Sequence, residues 1–295
     1  MKNIIFKGSG VAIVTPMNKD GSINYKEFEK LIEYQIKNNT DAIIVCGTTG
    51  ESATMTREEH NEVIKFAIDA VKGRIPIIAG TGSNNTRLAL ELSLEAQELG
   101  ADGLLIVTPY YNKTSQTGLI NHYNYIADRV NLPIILYNVP SRTGCNIKPE
   151  TYIELSKHAN IVATKEANGD LSSIAQTMSL CGNELNMYSG CDDQTLPILS
   201  LGGIGVISVF ANICPNLSHE LTSKYFSGNI NESKNIQLKY LKLMNALFLD
   251  VNPIPVKAAL NIMGFDCGRC RIPLDDMQKL DFEKLKSIMK DYNLI

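Results

Sequence analysis

Lys165 has the most distinctive chemical potential in this sequence, because it ends an apolar segment, Ile161-Val-Ala-Thr. Burial disfavours the ammonium form of a lysine and lowers its pKa. A neutral amine attacks a carbonyl carbon, and the protonated imine that forms withdraws electrons from the adjacent carbon. Lys165 is therefore a candidate nucleophile for Schiff-base chemistry. The alternative is a solvated lysine at a strand end, which describes most lysines.

A glycine-rich turn at residues 47–50, Gly-Thr-Thr-Gly, follows another apolar segment. Its backbone amides and the hydroxyls of Thr48 and Thr49 can together hold a small carboxylate. The Gly-Lys-Ser/Thr ending of a phosphate-binding P-loop is missing. The turn is thus a candidate oxoacid cradle, although a strand-to-helix turn without chemical use remains the alternative.

Two phenols and one guanidinium follow neighbouring apolar segments. Tyr111 and Tyr137 can relay protons without carrying full charge, and the planar fork of Arg142 suits a second carboxylate. Each has a plainer interpretation: the tyrosines as rim packing, and Arg142 as one partner of a surface ion pair.

The sequence offers no pattern for a metal or an organic cofactor, so we expect neither. None of the four histidines has metal-ligand spacing with another, and no G-x-S-x-G, H-E-x-x-H or G-x-G-x-x-G motif is present. Asp192 and Asp193 could bind a divalent ion, but adjacent carboxylates rarely point the same way, and helix capping is favoured.

Seven cysteines are scattered along the chain without a disulfide framework. Cys267 and Cys270 form a C-x-x-C pair, which could serve redox chemistry or half of a zinc site. No second pair completes a zinc site, so we expect free thiols in a C-terminal loop.

These residues must be positioned by a repeated unit, because eight short apolar segments recur at intervals typical of βα units. Nearly continuous apolar character suits parallel strands that are covered on both faces. The sequence predicts an α/β protein, a (β/α)8 TIM barrel, with an open doubly wound sheet as the alternative. The predicted strands are 11–15, 42–45, 76–79, 103–107, 133–137, 161–165, 185–189 and 205–209.

Strand signals cease near residue 226, after which helical patterns appear near 234–250, 253–263 and 275–292. We therefore predict a catalytic barrel over residues 1–225 and a C-terminal helical extension over residues 226–295. Between the strands, Thr56 and Glu59 fit a capping box, and Gly100 lies where a helix should end.

Composition indicates an ordinary globular protein, with 44% hydrophobic and 20% charged residues in a chain of 295. A net charge of −3 provides no basic field for nucleic acid. No apolar run approaches the length of a signal sequence core or a membrane span. We expect a cytoplasmic protein with no nucleic-acid or membrane partner.

Several motifs together resemble the pyruvate-dependent aldolase and lyase superfamily, and within it the family of 4-hydroxy-tetrahydrodipicolinate (dihydrodipicolinate) synthases. The resemblance extends over nearly the whole chain. The matching segments begin at Gly8, Gly47, Ile78, Thr108, Tyr137, Lys165, Gly205 and Asn252, and they read GSGVAIVTPM, GTTGESAT, IAGTG, TPYYNK, YNVPSRTG, KEA, GVISV and NPIPVK.

The resemblance implies that Lys165 forms a Schiff base with pyruvate. It further implies that Thr48 and Thr49 hold the pyruvate carboxylate and that Gly190 and Ile207 contribute nearby backbone carbonyls. The reaction would be a condensation with L-aspartate-4-semialdehyde, in lysine and diaminopimelate biosynthesis.

The resemblance also implies a proton relay of Thr49, Tyr137 and Tyr111, with Tyr111 reaching into a neighbouring subunit of a homotetramer, a dimer of dimers. Arg142 would bind the carboxylate of the semialdehyde. N-acetylneuraminate lyases share the lysine but usually lack this arginine, and they are the enzymatic alternative. A barrel that binds an oxoacid without turnover is the alternative from another class.

Lysine-inhibited members of the family have an allosteric pocket that resembles part of this sequence. The matching positions are Ser52, Ala53, His60, Asn84 and Tyr110. Two further positions depart, because Arg57 and Leu88 replace a histidine and a glutamate. The glutamate would pair with the ammonium of the ligand, whereas Arg57 adds like charge. We expect weak or no inhibition by lysine.

Overall fold

Eight parallel strands close into a barrel in the computed structural model, which describes residues 2–295. Each strand pairs with the next, and the first pairs with the eighth. The predicted TIM barrel is confirmed, and the open sheet is excluded. The strands are β1 (Gly8–Ala12), β2 (Ala42–Val45), β3 (Ile77–Gly80), β4 (Gly103–Val107), β5 (Ile134–Asn138), β6 (Ile161–Glu166), β7 (Asn186–Ser189) and β8 (Gly205–Ser208).

Seven strands lie within a residue of their predicted bounds, but the first was predicted wrongly at 11–15. It begins instead at Gly8, in a glycine-rich segment with weak strand propensity. Closure of the barrel decides this register, because Gly8 pairs with Gly205 of β8. A Cβ atom at Gly205 would lie 2.1 Å from the carbonyl oxygen of Gly8, so glycine is needed at this seam.

Twelve helices lie among residues 2–295. They are α1 (Tyr25–Lys37), α2 (Arg57–Val71), α3 (Thr86–Leu99), α4 (Gln116–Ala127), α5 (Pro140–Thr143), α6 (Pro149–Ser156), α7 (Leu171–Cys181), α8 (Thr195–Ser200), α9 (Pro215–Phe226), α10 (Ile230–Ala246), α11 (Ile254–Ile262) and α12 (Lys279–Asp291). Thr56 and Glu59 form the predicted capping box of α2, and Gly100 ends α3 in the left-handed conformation at φ 94°. None of these helices is long and apolar enough to cross a membrane.

Strand residues alternate between two apolar layers. Ile43 and Val45 face the helices, whereas Ile44 belongs to the cluster that fills the barrel. At the N-terminal end Phe6 stacks on Tyr188, whose hydroxyl donates to the Phe6 carbonyl oxygen at 2.6 Å. The filled interior leaves the opposite mouth as the place for a site.

Helices α10 to α12 follow the last βα unit, close to the predicted helical patterns. The division into a barrel over 1–225 and an extension over 226–295 stays a prediction. α10 packs on α9, and α12 packs on both α10 and α11.

A buried ion pair fastens this extension to the barrel. Lys257 of α11 donates to Glu51, in the loop after β2, at 2.8 Å, and both side chains are almost fully buried. Glu51 also accepts from the backbone N–H of Arg271, whose guanidinium pairs with Glu59. The C-terminal extension thereby fixes the position of the loop that contains Thr48 and Thr49.

Replacing Lys257 by Met should lower the free energy of unfolding by about 3–5 kcal/mol, because the Glu51 carboxylate would stay buried without its cation. Urea denaturation measures the change. The double variant K257M/E51Q serves as the matched control and should be less destabilised than K257M, since it leaves no unpaired charge. A loss of under about 1 kcal/mol in K257M would contradict this view of the pair.

Candidate active site

A cavity of about 590 Å³ opens where the strands of the barrel end. Residues from six different segments line it, which is the usual arrangement at the C-terminal face of such barrels. The lining residues that carry chemistry are Thr49, Tyr137, Arg142, Lys165 and Asn252.

Lys165 lies at the C-terminal end of β6 and is only 5% exposed. Burial lowers the pKa of Lys165 to about 8, and Arg142 acts in the same direction as a weaker influence. Its Nζ atom lies 4.2 Å from the centre of the Tyr137 ring. The structure therefore removes the solvated-lysine interpretation, since a substantial neutral fraction of this amine exists near neutral pH.

Tyr137 faces Lys165 because the two residues are register partners in the ladder between β5 and β6. Burial raises the pKa of Tyr137 to about 12, so its hydroxyl remains protonated and can donate. Among the influences that oppose this rise in the pKa of Tyr137, Arg142 is the largest and Thr48 is a weaker one. Tyr137 can thus move protons beside the amine.

The two adjacent threonines have different surroundings. The hydroxyl of Thr49, which was expected to begin the relay, accepts from Asn252 at 3.0 Å and keeps its own proton, while Thr48 lowers the pKa of Tyr137 as a weak influence. The relay stays a prediction. Successive residues of a turn project in different directions, so the sequence alone gave no basis for distinguishing two adjacent threonines.

The turn at residues 47–50 is closed by its own backbone hydrogen bonds. The amides of Gly50 and Glu51 close the turn by donating to the carbonyl oxygens of Gly47 and Thr48. Within residues 2–295, the amides of Thr48 and Thr49 have no such backbone acceptor. Two free donors beside a hydroxyl are suited to a carboxylate.

Arg142 lies on α5 at the edge of the cavity, and its Nη2 atom donates to the backbone carbonyl of Asn252 at 3.2 Å. Among the described residues, Arg142 forms no ion pair with a carboxylate. The alternative interpretation, one partner of a surface ion pair, therefore does not apply. Its remaining donors are available for an anionic ligand.

The other expected site residues are divided. Gly190 lines the cavity, while Ile207 lies fully buried within β8 and outside the residues that line the cavity. Tyr111 is 90% exposed, has a φ of 68° and is not among the residues that line the cavity of its own chain. A single chain therefore lacks the third member of the expected relay.

Asp192 follows β7, but its carboxylate caps the turn that follows β8. Its carboxylate accepts from the hydroxyl of Ser208 and from the amides of Val209 and Phe210, which begin the turn after β8. Among residues 2–295, no three His, Cys, Asp or Glu side chains are grouped to hold a metal ion. Cys267 is buried and Cys270 partly exposed, and both are free thiols.

Glu166 directly follows Lys165, and the sequence alone did not identify it as a site residue. It accepts from Asn138 at 3.0 Å and from the Tyr152 hydroxyl at 2.7 Å. Burial raises the pKa of Glu166 to about 7, and these two hydrogen bonds oppose that rise. Because Asn138 and Glu166 directly follow Tyr137 and Lys165, their contact fixes the two strand ends against each other.

A second cavity of about 550 Å³ adjoins the first and shares Tyr137, Arg142 and Asn252 with it. Four of the five expected allosteric residues line it, namely Ser52, Ala53, His60 and Tyr110, together with Arg57 and Leu88. Asn84 lies elsewhere, in a surface groove beside α4.

Arg57 differs from the expectation of an added like charge. It pairs with Glu91 and Glu95 of α3, so its charge is already opposed locally. Leu88 is partly exposed and gives this wall an apolar side chain where an ammonium partner was required.

The chain matches the model of the Dihydrodipicolinate synthetase family over residues 5–292. That span includes both cavities and all of the candidate site residues. The chain belongs to this family.

Named relatives and solved structures agree with the family match. The chain is 56% identical over 291 residues to 4-hydroxy-tetrahydrodipicolinate synthase of Clostridium perfringens, covering 99% of this chain and 100% of that one. The corresponding protein of Thermoanaerobacter sp. (strain X514) is 55% identical, with 99% and 98% covered. A dihydrodipicolinate synthase from Thermotoga maritima has a TM-score of 0.97 at 44% identity, with 99% and 100% covered. One from Acinetobacter baumannii, solved as a complex with pyruvate, has the same values.

The sequence alone did not identify Asn252, Glu51 and Lys257 as site residues. All three belong to motifs that carry the resemblance, GTTGESAT and NPIPVK, but their partners are about 200 residues away in sequence. No periodicity or spacing signals such contacts.

We predict that kcat/KM for pyruvate rises with pH and levels off above about 8, because only the neutral Lys165 amine attacks a carbonyl and burial lowers its pKa to about 8. Initial rates between about pH 6 and pH 9.5 measure this limb. Cys181→Ser is the matched control, since that thiol lies on α7 outside the cavity, burial raises its pKa to about 11, and its loss should leave the limb in place. A midpoint near about 10.4, the ordinary lysine value, would contradict the prediction.

Proposed function

We propose that this protein condenses pyruvate with L-aspartate-4-semialdehyde to give 4-hydroxy-tetrahydrodipicolinate, through a Schiff base on Lys165. The observation that carries the proposal is the buried Lys165 amine beside Tyr137 and the carboxylate cradle. The names of the relatives, 4-hydroxy-tetrahydrodipicolinate synthase, support the substrate pair.

In the first stage the neutral Lys165 amine attacks the carbonyl carbon of pyruvate, and the carbinolamine loses water to form a protonated imine. Thr48 and Thr49 hold the pyruvate carboxylate. Tyr137 donates a proton to the departing hydroxyl, and Thr49 is its proposed partner in the relay. Gly190 and Ile207 are proposed to contribute backbone carbonyls around the bound pyruvate.

In the second stage the imine draws electrons from the adjacent methyl carbon, which loses a proton and becomes an enamine. The enamine carbon attacks the aldehyde of the second substrate, whose carboxylate Arg142 binds. Water hydrolyses the imine and releases Lys165 as the free amine. The amine of the product then attacks the freed ketone carbon, and loss of one water closes the ring. Imine chemistry of this kind needs no metal or organic cofactor.

The proposal includes self-association into a homotetramer, a dimer of dimers. The exposed Tyr111 is then supplied to the site of a neighbouring chain, where it completes the relay. A described monomeric dihydrodipicolinate synthase variant shares this fold with a TM-score of 0.96, so the fold alone does not fix the assembly. Sedimentation velocity tests the tetramer. A cytoplasmic location is also proposed, and cell fractionation tests it.

Borohydride reduction in the presence of pyruvate should leave a covalent adduct on Lys165, because hydride reduces the imine to a stable amine. Mass spectrometry of the intact chain and of its peptides locates the adduct. Lys165→Arg, which keeps the charge but cannot form an imine, should give none. If the native protein forms no adduct, the barrel is an oxoacid-binding protein without turnover.

Arg142→Ala should reduce kcat/KM for the semialdehyde about 100-fold or more, because the substrate carboxylate would lose a desolvated, hydrogen-bonded cation. The yield of pyruvate adduct should change little. Arg142→Lys keeps the charge without the planar fork, and its kcat/KM should lie between the other two. Turnover with N-acetylmannosamine alone would instead assign the protein to the sugar lyases.

We further propose that lysine inhibits this enzyme weakly or not at all. The second cavity lacks a carboxylate at Leu88 for the lysine ammonium, and Arg57 is committed to Glu91 and Glu95. Rates should stay nearly constant across a lysine titration into the millimolar range, and Leu88→Glu should increase sensitivity. A steep fall at submillimolar lysine would refute the proposal.

A further inference from the structure

Asn252 connects three parts of the site that are distant in sequence. It lies in the loop between α10 and α11, is 5% exposed and lines both cavities. Its side-chain Nδ2 donates to the Thr49 hydroxyl oxygen, while its backbone carbonyl accepts from Arg142. One residue of the C-terminal extension thus contacts both proposed carboxylate-binding groups.

The hydrogen bond to Thr49 has a direction that matters for anion binding. A hydroxyl has one proton to donate, and Nδ2 of an amide can only donate. Contact with Nδ2 therefore occupies a lone pair of the Thr49 oxygen and leaves its proton free. A hydroxyl in a carboxylate cradle must donate, so this polarity is the productive one.

The Oδ1 atom of the Asn252 side chain indicates that this residue does not serve stability alone. Its Oδ1 is buried without a hydrogen-bond partner among residues 2–295. An unpaired buried carbonyl oxygen disfavours folding, and such groups are uncommon in folded proteins. The contact with Thr49 is the only hydrogen bond that the side chain makes in the described part of the chain.

We infer that Asn252 is a positioning residue for pyruvate, whose side-chain amide holds the Thr49 hydroxyl as a donor toward the pyruvate carboxylate. This inference rests on the proposed function. It adds a specific division of labour, because the Asn252 side chain serves the pyruvate cradle while its backbone serves Arg142. Side-chain variants should therefore affect pyruvate and spare the semialdehyde.

The test measures the pyruvate concentration that gives half-maximal borohydride adduct, together with KM for each substrate, in the assembled full-length enzyme. Asn252→Ala should raise the half-maximal pyruvate concentration about 5- to 10-fold, the loss expected of one hydrogen bond. Asn252→Asp should raise the half-maximal pyruvate concentration further. The new carboxylate would accept a hydrogen bond from the Thr49 hydroxyl, which could then no longer donate to pyruvate, and it would repel the substrate anion. KM for the semialdehyde should change less than about 2-fold in Asn252→Ala.

A double-mutant cycle with Thr49→Val separates positioning from a merely structural role. Valine lacks the hydroxyl but keeps the shape of threonine, so Asn252→Ala should have almost no further effect on pyruvate binding in that background. Urea denaturation of each variant reports folding separately, and Asn252→Asp keeps the size of the native side chain.

Three results would overturn the inference. They are an equal effect of Asn252→Ala with and without Thr49, unchanged pyruvate affinity in both Asn252 variants, or equal effects on the two substrates. Failure of the native enzyme to form any adduct would instead refute the proposed Schiff base itself. The two failures are therefore distinguishable in the same experiment.

Discussion

The hydrogen-bond ladder between β5 and β6 places Tyr137 directly beside Lys165, and the rest of the site is arranged around that pair. Side chains alternate along a strand, so the next residue of each strand faces the helices instead. There Asn138 donates to Glu166, which also accepts from the hydroxyl of Tyr152 of α6. A slip of one residue would turn the amine and the phenol away from the barrel mouth. The register of two strands is thus a functional constraint as well as a structural one.

Burial gives the Lys165 amine its reactivity at the expense of stability. A lysine in water is an ammonium ion near neutral pH, whereas at this position desolvation lowers its pKa to about 8. Cys191 and Asp192 favour the ammonium more weakly than desolvation opposes it, and the Asp192 carboxylate is itself hydrogen-bonded by Ser208 and two backbone amides. Perturbed groups of this kind in a cleft are typical of functional sites.

The C-terminal helices take part in the site although they lie outside the barrel. The buried pair of Lys257 and Glu51 holds the loop after β2, and Asn252 holds one hydroxyl of that loop. The family match includes these helices, which agrees with a role beyond covering the barrel. The side chains of Asn252 and Lys257 and the backbone amide of Arg271 make these contacts with the loop.

The fold class, seven of the eight strand positions and the candidate lysine could all be predicted from the amino-acid sequence. Those features are local, because apolar runs, capping residues and a lysine after a strand are recognisable within a few residues. The start of β1 and the contacts of Glu166, Asn252 and Lys257 could be read only from the folded chain. Each of these depends on a partner far away in the chain. Hydrogen bonds between residues that are distant in sequence form when the barrel closes and the extension packs on it. The spacing of residues along the sequence therefore does not predict them.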